Sequence, residues 1–184
     1  MPNPIVESIA LTIIAFIFLA GSVRKLTNLG VFEQAIASYE LTNDSLTWFL
    51  SRFIPILELS AGLLLLIPPM RETGALIALS LLVFVTAAVV INLLRGRTEL
   101  NCGCGGLEDE QPISWNLVLR NLTLAALVGF SFMGAAHSVF SWVDLVTIYA
   151  SALAGYGIFA ISNQLIANQL RLASASSGRR ERHE

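Results

Sequence analysis

The chain has 184 residues, of which 55% are hydrophobic and only 13% charged, and its mean hydropathy is +0.71. A soluble domain carries about 25% charged residues, so this chain has too little polar surface to coat a water-soluble globule, and its apolar residues must face lipid. The formal net charge of −2 leaves no surplus of cations to displace counterions from phosphate, which argues against a nucleic-acid partner.

A bilayer core of about 30 Å takes roughly 20 apolar residues in helix. Helices suit it because each satisfies its own backbone donors and acceptors. Five stretches qualify: residues 5–23, 49–68, 73–94, 116–135 and 142–161. The first follows Met1-Pro-Asn-Pro4 rather than a basic segment and has no obvious small-residue cleavage site after it. It reads as a permanent span rather than a secretory signal. Residues 30–45 are neither apolar enough to span nor polar enough for a plain loop. There Phe32, Ile36 and Tyr39 recur at helical spacing against Glu33, Gln34 and Glu40, the pattern of a short helix lying in the interface.

Pro68 and Pro69 end the second span, since proline has no N–H to continue a helix. The third span is the cleanest, with an uninterrupted run over 74–91. The fifth is the weakest, being rich in Ala, Ser and Gly; its Ser151 and Gly155 stand one turn apart, which suits close packing between helices. Trp48, Trp115 and Trp142 fall at span edges, where amphipathic rings prefer the headgroup layer. Residues 173–184 are poor in apolar side chains and read as a disordered basic tail beyond a bundle over 1–172. The expectation is an all-α integral membrane bundle of four to five transmembrane helices, surrounded by membrane lipid, with a short interfacial helix after the first span.

Cations set the orientation. Arg24, Lys25 and Arg52 flank the first connection; Arg95, Arg97 and Arg120 flank the third; Arg171, Arg179, Arg180 and Arg182 lie near the C-terminus. In a five-span arrangement all of these share one face, with Arg71 alone on the other. That places the N-terminus outside, the tail in the cytoplasm, and the third connection on the cytoplasmic side.

The third connection holds the only two cysteines, Cys102 and Cys104, separated by Gly103 and followed by Gly105 and Gly106. A Cys-x-Cys disulfide closes a ring of about eleven atoms and needs an unusual backbone to reach standard disulfide geometry. The glycines permit the positive φ values such a loop requires. A strained disulfide is more easily reduced, so its potential is relatively oxidising, and Arg95 and Arg97 nearby would favour a thiolate. These residues point to a dithiol/disulfide couple that exchanges with a partner protein. Against it stand a chance pairing of two small residues in a glycine-rich turn and a metal site. Two thiolates are fewer than the four ligands of structural zinc, and the only histidines are His137, expected on the opposite face, and His183 in the tail. Cu(I), however, accepts two thiolates.

Glu58 lies inside the second span. A carboxylate at the centre of a membrane helix costs about 2.5–3.5 kcal/mol on insertion scales, so it faces the bundle interior and has a partner. Arg24 and Lys25 are the candidates. Glu58 then either relays the protons that accompany thiol oxidation or quinone reduction, or simply cross-links two helices. Asn92 and Asn121 read as interhelical hydrogen-bonding groups, and Asp144 as solvated.

With these residues in view, the chain resembles the MauE family of methylamine-utilisation membrane proteins, within the wider DoxX-like group. The match is strongest from Ile91 through Arg97, Asn101-Cys-Gly-Cys-Gly-Gly106 and Pro112 to Asn121. It is weaker at Arg24-Lys25, around Tyr39-Glu40-Leu41, and over Glu58-Leu-Ser-Ala-Gly62. The resemblance implies a DoxX-like helical bundle in the bacterial inner membrane that acts with a thioredoxin-like partner in forming disulfides during maturation of methylamine dehydrogenase. Carried onto this chain, Cys102 and Cys104 become the redox pair. Sequence therefore favours a membrane thiol–disulfide redox protein with a thioredoxin-fold partner, exchanging electrons with a quinone near Glu58. The alternatives are a non-catalytic docking subunit with a structural disulfide and a Cu(I)-handling membrane protein.

Overall fold

The computed structural model describes residues 4–100, 112–132 and 141–180, with the side chains of Pro4, Asn163 and residues 166–180 left aside. Among them the chain forms six α-helices and a short 3-10 turn at Pro68–Met70: α1 Pro4–Thr27, α2 Leu29–Ser38, α3 Asp44–Leu66, α4 Arg71–Leu94, α5 Trp115–Ser131 and α6 Trp142–Arg180. Four of these stretches are long and apolar enough to cross a membrane: Ile5–Thr27, Asp44–Leu66, Pro68–Leu94 and Trp142–Ser162. The fifth expected span is α5, whose 17 residues lie at the lower limit for crossing a hydrocarbon core.

Helix α1 is the central post, packed against α2, α3, α5 and α6. Its Leu11, Ile14, Ala15 and Phe18 are buried with Ile54, Ala61 and Leu65 of α3, Leu81 and Leu82 of α4, and Leu124 and Val128 of α5. Lipid is as apolar as these side chains, so close van der Waals contact rather than expulsion of water holds such helices together. Two glycines make the contact possible. A Cβ at Gly62 would lie 2.8 Å from Leu19 Cγ, and one at Gly155 would lie 2.6 Å from Ile13 Cδ1. Glycine at these positions lets α3 and α6 approach α1, as the small residues of the last span predict. The outer faces carry exposed apolar side chains, among them Val83 and Phe84 of α4, Leu119 and Leu122 of α5, and Leu153 and Ile158 of α6.

Helix α3 starts five residues before the apolar pattern does. Asn43 caps it, its side chain accepting from Leu46 N–H at 2.9 Å, and this polar first turn precedes the part that hydropathy detects. Helix α2 is the short helix expected after the first span. It buries Phe32 and Ala35, while its polar face is engaged: Glu33 pairs with Arg52 at 3.0 Å, and Glu40, just beyond it, with Arg97 at 2.5 Å. Trp48, Trp115 and Trp142 are all exposed, and Arg52 stacks on Trp48 at 4.2 Å. Asp144 caps α6, accepting from Ser141 N–H at 2.8 Å. Along the backbone α6 continues to Arg180, through the first part of the segment expected as a tail.

Candidate functional site

Cys102 and Cys104 lie outside the described residues, as do His137 and His183. What is described is the base that carries the cysteine loop. Helix α4 ends in a Schellman motif: Gly96 adopts φ +75°, its N–H bonds to Leu93 O at 3.0 Å, and Arg97 N–H bonds to Asn92 O at 3.1 Å. A left-handed glycine just past the last turn closes the orphan carbonyls in this way. Beyond the loop, Ile113 N–H donates to Leu100 O at 2.8 Å, which brings the two ends of the loop together. Ile113 is buried with Val89, Leu93, Leu117 and Val118, and Tyr39, Val90 and Leu100 pack against this small core. The loop thus springs from a fixed neck formed by the end of α4 and the start of α5. Asn92, fully buried in the last turns of α4, donates to Ala88 O at 3.1 Å. Its Oδ1 has no hydrogen-bond partner among the described residues, so the interhelical bond expected of it is not among the contacts described.

Glu58 faces the bundle interior, and of the two candidates Lys25 is its partner. Lys25 Nζ donates to Glu58 Oε1 at 2.5 Å, with both side chains nearly buried at 8% and 12% exposure. The ammonium also lies 5.1 Å from the centroid of the Phe32 ring, so α1, α2 and α3 meet at this charge. Arg24 projects beside it, more exposed.

The pair forms one wall of a cavity of about 150 Å³ between α1, α3, α4, α5 and α6. Arg24, Lys25, Glu58 and Arg120 supply its charged end, and Leu81, Leu82, Val85 and Leu124 part of its apolar wall. Tyr156, Phe159 and Gln164 close the α6 side. Arg120 donates to Asn121 Oδ1 at 3.2 Å and lies over the Phe159 ring at 5.8 Å. Asn121 also lines the cavity, and no interhelical bond of its side chain is found among the described residues. Sequence reasoning assigned Arg120 only to the charge count. The available signal was an adjacent Arg120-Asn121 pair within an otherwise apolar stretch, a pairing that lipid-facing positions do not tolerate. Among the described residues no group of three or more His, Cys, Asp or Glu comes together to hold a metal.

The family model described as "Methylamine utilisation protein MauE" matches residues 3–134, a segment that includes Lys25, Glu58, both cysteines and Arg120. The chain is 35% identical over 114 residues to a methylamine utilization protein MauE of Paracoccus denitrificans, a match covering 62% of this chain and 61% of that relative. It is 29% identical over 179 residues to the MauE protein of Methylophilus methylotrophus, covering 89% of this chain and 92% of the relative. A third relative, the MauE protein of Paracoccus versutus, is 31% identical over 74% of this chain and 71% of its own length. No solved structure matches. With its family match running through four of the five long helices and the cysteine loop between them, the chain belongs to the MauE family of methylamine utilisation proteins.

Proposed function

We propose that the protein is a membrane thiol–disulfide redox protein in which Cys102 and Cys104 cycle between disulfide and dithiol against a thioredoxin-fold partner, in the maturation of a methylamine dehydrogenase-type enzyme. The observation that carries this reading is the placement of the only two cysteines, one glycine apart, between loop ends pinned at Leu100 and Ile113. In the oxidising direction a thiolate of the partner attacks one sulfur of the Cys102–Cys104 disulfide and forms a mixed disulfide. The partner's second thiol resolves it, so the partner gains a disulfide and this chain gains two thiols. A membrane quinone restores the disulfide by accepting two electrons and two protons and leaving as quinol. Glu58 enters as the buried partner of Lys25, either joining α1 to α3 or relaying those protons.

Single Cys102→Ser and Cys104→Ser variants test the exchange. One of them should accumulate a reductant-sensitive adduct with a thioredoxin-fold protein, and the double variant should lose both the adduct and maturation. If the double variant still captures the partner and supports maturation, the cysteines are structural and the protein is a docking subunit. The quinone step is tested separately by adding quinone to purified, reduced protein. Thiol loss no faster than in the detergent blank removes it. The face is tested with a membrane-impermeant maleimide. The cation count expects labelling only after cells are opened; labelling of intact cells after mild reduction would put the loop outside.

A further inference from the structure

We propose that the cavity between α1, α4, α5 and α6 seats a quinone ring, held by hydrogen bonds from the Asn121 amide and the Tyr156 hydroxyl to its carbonyl oxygens. The inference deepens the quinone step proposed above and rests on that reading for the reductant, not for the binding.

Two neutral donors at the cavity carry it. Arg120 donates to Asn121 Oδ1 from Nε at 3.4 Å and from Nη2 at 3.2 Å. A guanidinium only donates, so the oxygen of Asn121 must face it and the amide NH2 is turned elsewhere. Asn121 is 4% exposed, and its NH2 makes no bond among the described residues. A buried donor left unmet costs free energy, and the cavity that Asn121 lines is where this one finds an acceptor. Across the cavity on α6, the hydroxyl of half-buried Tyr156 likewise has no hydrogen-bond partner among the described residues. Its ring is set edge-on to Phe16, centroids 6.3 Å apart. The apolar wall suits a flat ring. Phe18, Leu82, Val85, Leu124 and Phe159 line it, and a cavity of about 150 Å³ is the size that admits benzene in an apolar protein interior. An apolar ring with carbonyl oxygens on its edge is a quinone. Position agrees with this chemistry. Val85 and Asn121 line the cavity, and one turn nearer the cysteine loop Val89 and Leu117 belong to the small core at its neck. At 1.5 Å per residue, the cavity wall is about 6 Å along α4 and α5 from that neck.

Binding is measured on the full chain carrying Cys102→Ser and Cys104→Ser, so that no thiol chemistry intervenes, by equilibrium dialysis and thermal unfolding in neutral detergent. The probes are duroquinone and tetramethylbenzene, the same ring without carbonyl oxygens. Duroquinone should bind saturably and about tenfold more tightly than the hydrocarbon. Asn121→Leu and Tyr156→Phe should each lower its affinity about fivefold, the scale of one lost hydrogen bond, and leave that of the hydrocarbon unchanged. Tyr149→Phe, on the same helix but outside the cavity lining, should change neither. Equal binding of the two rings would overturn the proposal whether or not the cavity variants fold, since the cavity then recognises apolar bulk alone. So would an unchanged duroquinone affinity in a folded Tyr156→Phe protein. Thiol loss separates this inference from the redox reading. If the reduced wild-type protein binds duroquinone but loses no thiols to it, the site stands and the redox step falls. If thiols are oxidised at the wild-type rate in Asn121→Leu and Tyr156→Phe, the redox step stands and the site falls.

Discussion

The two ends of the bundle use their polar side chains differently. Where α3 hands over to α4, Pro68 and Pro69 have no N–H to offer the last carbonyls of α3. Ile67 N–H serves Leu64 O at 3.1 Å. Leu65 O, whose i+4 donor would be Pro69, is met instead by Arg71 Nε at 3.3 Å, and the same guanidinium bonds Ser8 Oγ at 2.9 Å. That cation completes the backbone at a turn. At the opposite end lie Arg24, Lys25, Arg52, Arg95, Arg97 and Arg120 with, among the described residues, three ion pairs, a cavity with one charged end and the neck of the cysteine loop. A single cation that repairs backbone needs no further explanation. A concentration of charge around a cavity and a loop is more than the helix ends require, and it marks the end where function is to be sought.

The largest effect expected follows from Lys25 and Glu58. Breaking a buried ion pair from one side leaves an uncompensated charge, at a cost of about 3–5 kcal/mol. Lys25→Met and Glu58→Leu should each sharply lower the unfolding temperature in detergent, and the double variant should recover much of the loss. Glu58→Gln divides the two roles of this residue. If the variant folds and exchanges thiols but loses quinone-driven thiol oxidation, Glu58 is a relay; if it only loses stability, the pair is a cross-link. A single variant as stable as the wild type would break the contrast between the two ends.

Next in size is the contact that sets the distance between α1 and α3. Gly62→Ala would place a methyl group 2.8 Å from Leu19 Cγ and 3.1 Å from Ala15 O, and overpacking of this kind costs about 1–3 kcal/mol. Gly129→Ala, which meets nothing within 4 Å, is the control and should be neutral or slightly stabilising by helix propensity. Equal behaviour of the two variants would mean that α3 can move away from α1 at little cost. Arg71→Leu should cost about 1–3 kcal/mol, as when a buried carbonyl loses its donor, while leaving thiol exchange intact. A loss of thiol exchange in this variant would show that the two ends are coupled.

Helix content and four of the five expected spans were legible because hydropathy over about 20 residues is a strong signal. So was the short α2, whose Phe32 is buried while Gln34 on the other side is exposed. Gly155 was legible because a small residue in a span has few reasons to be there other than close packing. The start of α3 was not, because Asp44 to Thr47 form a polar first turn fixed by Asn43 and hydropathy does not register caps. Nor was the choice of Lys25 over Arg24 as partner of Glu58. The two cations are adjacent, and which one turns inward depends on the packing of α2 and Phe32. The cavity was least legible of all. Arg24, Glu58, Arg120 and Tyr156 are brought together only by the tertiary arrangement of α1, α3, α5 and α6.

The smallest effect sharpens the comparison within the cation-rich end itself. Arg97 and Glu40 form an ion pair of the same length as Lys25 and Glu58, 2.5 Å, but their side chains are 32% and 68% exposed. Water and side-chain entropy then offset most of the Coulomb gain, and such pairs contribute about 0–1 kcal/mol. Arg97→Gln should therefore shift the unfolding temperature only slightly, and the shift should shrink further in about 0.5 M salt, where charges more than a few ångströms apart are screened. The penalty of Lys25→Met should persist in the same salt, because nearly buried charges are screened far less. If the two variants respond alike to salt, burial does not separate these pairs, and Lys25–Glu58 loses its standing as the internal anchor of the cavity.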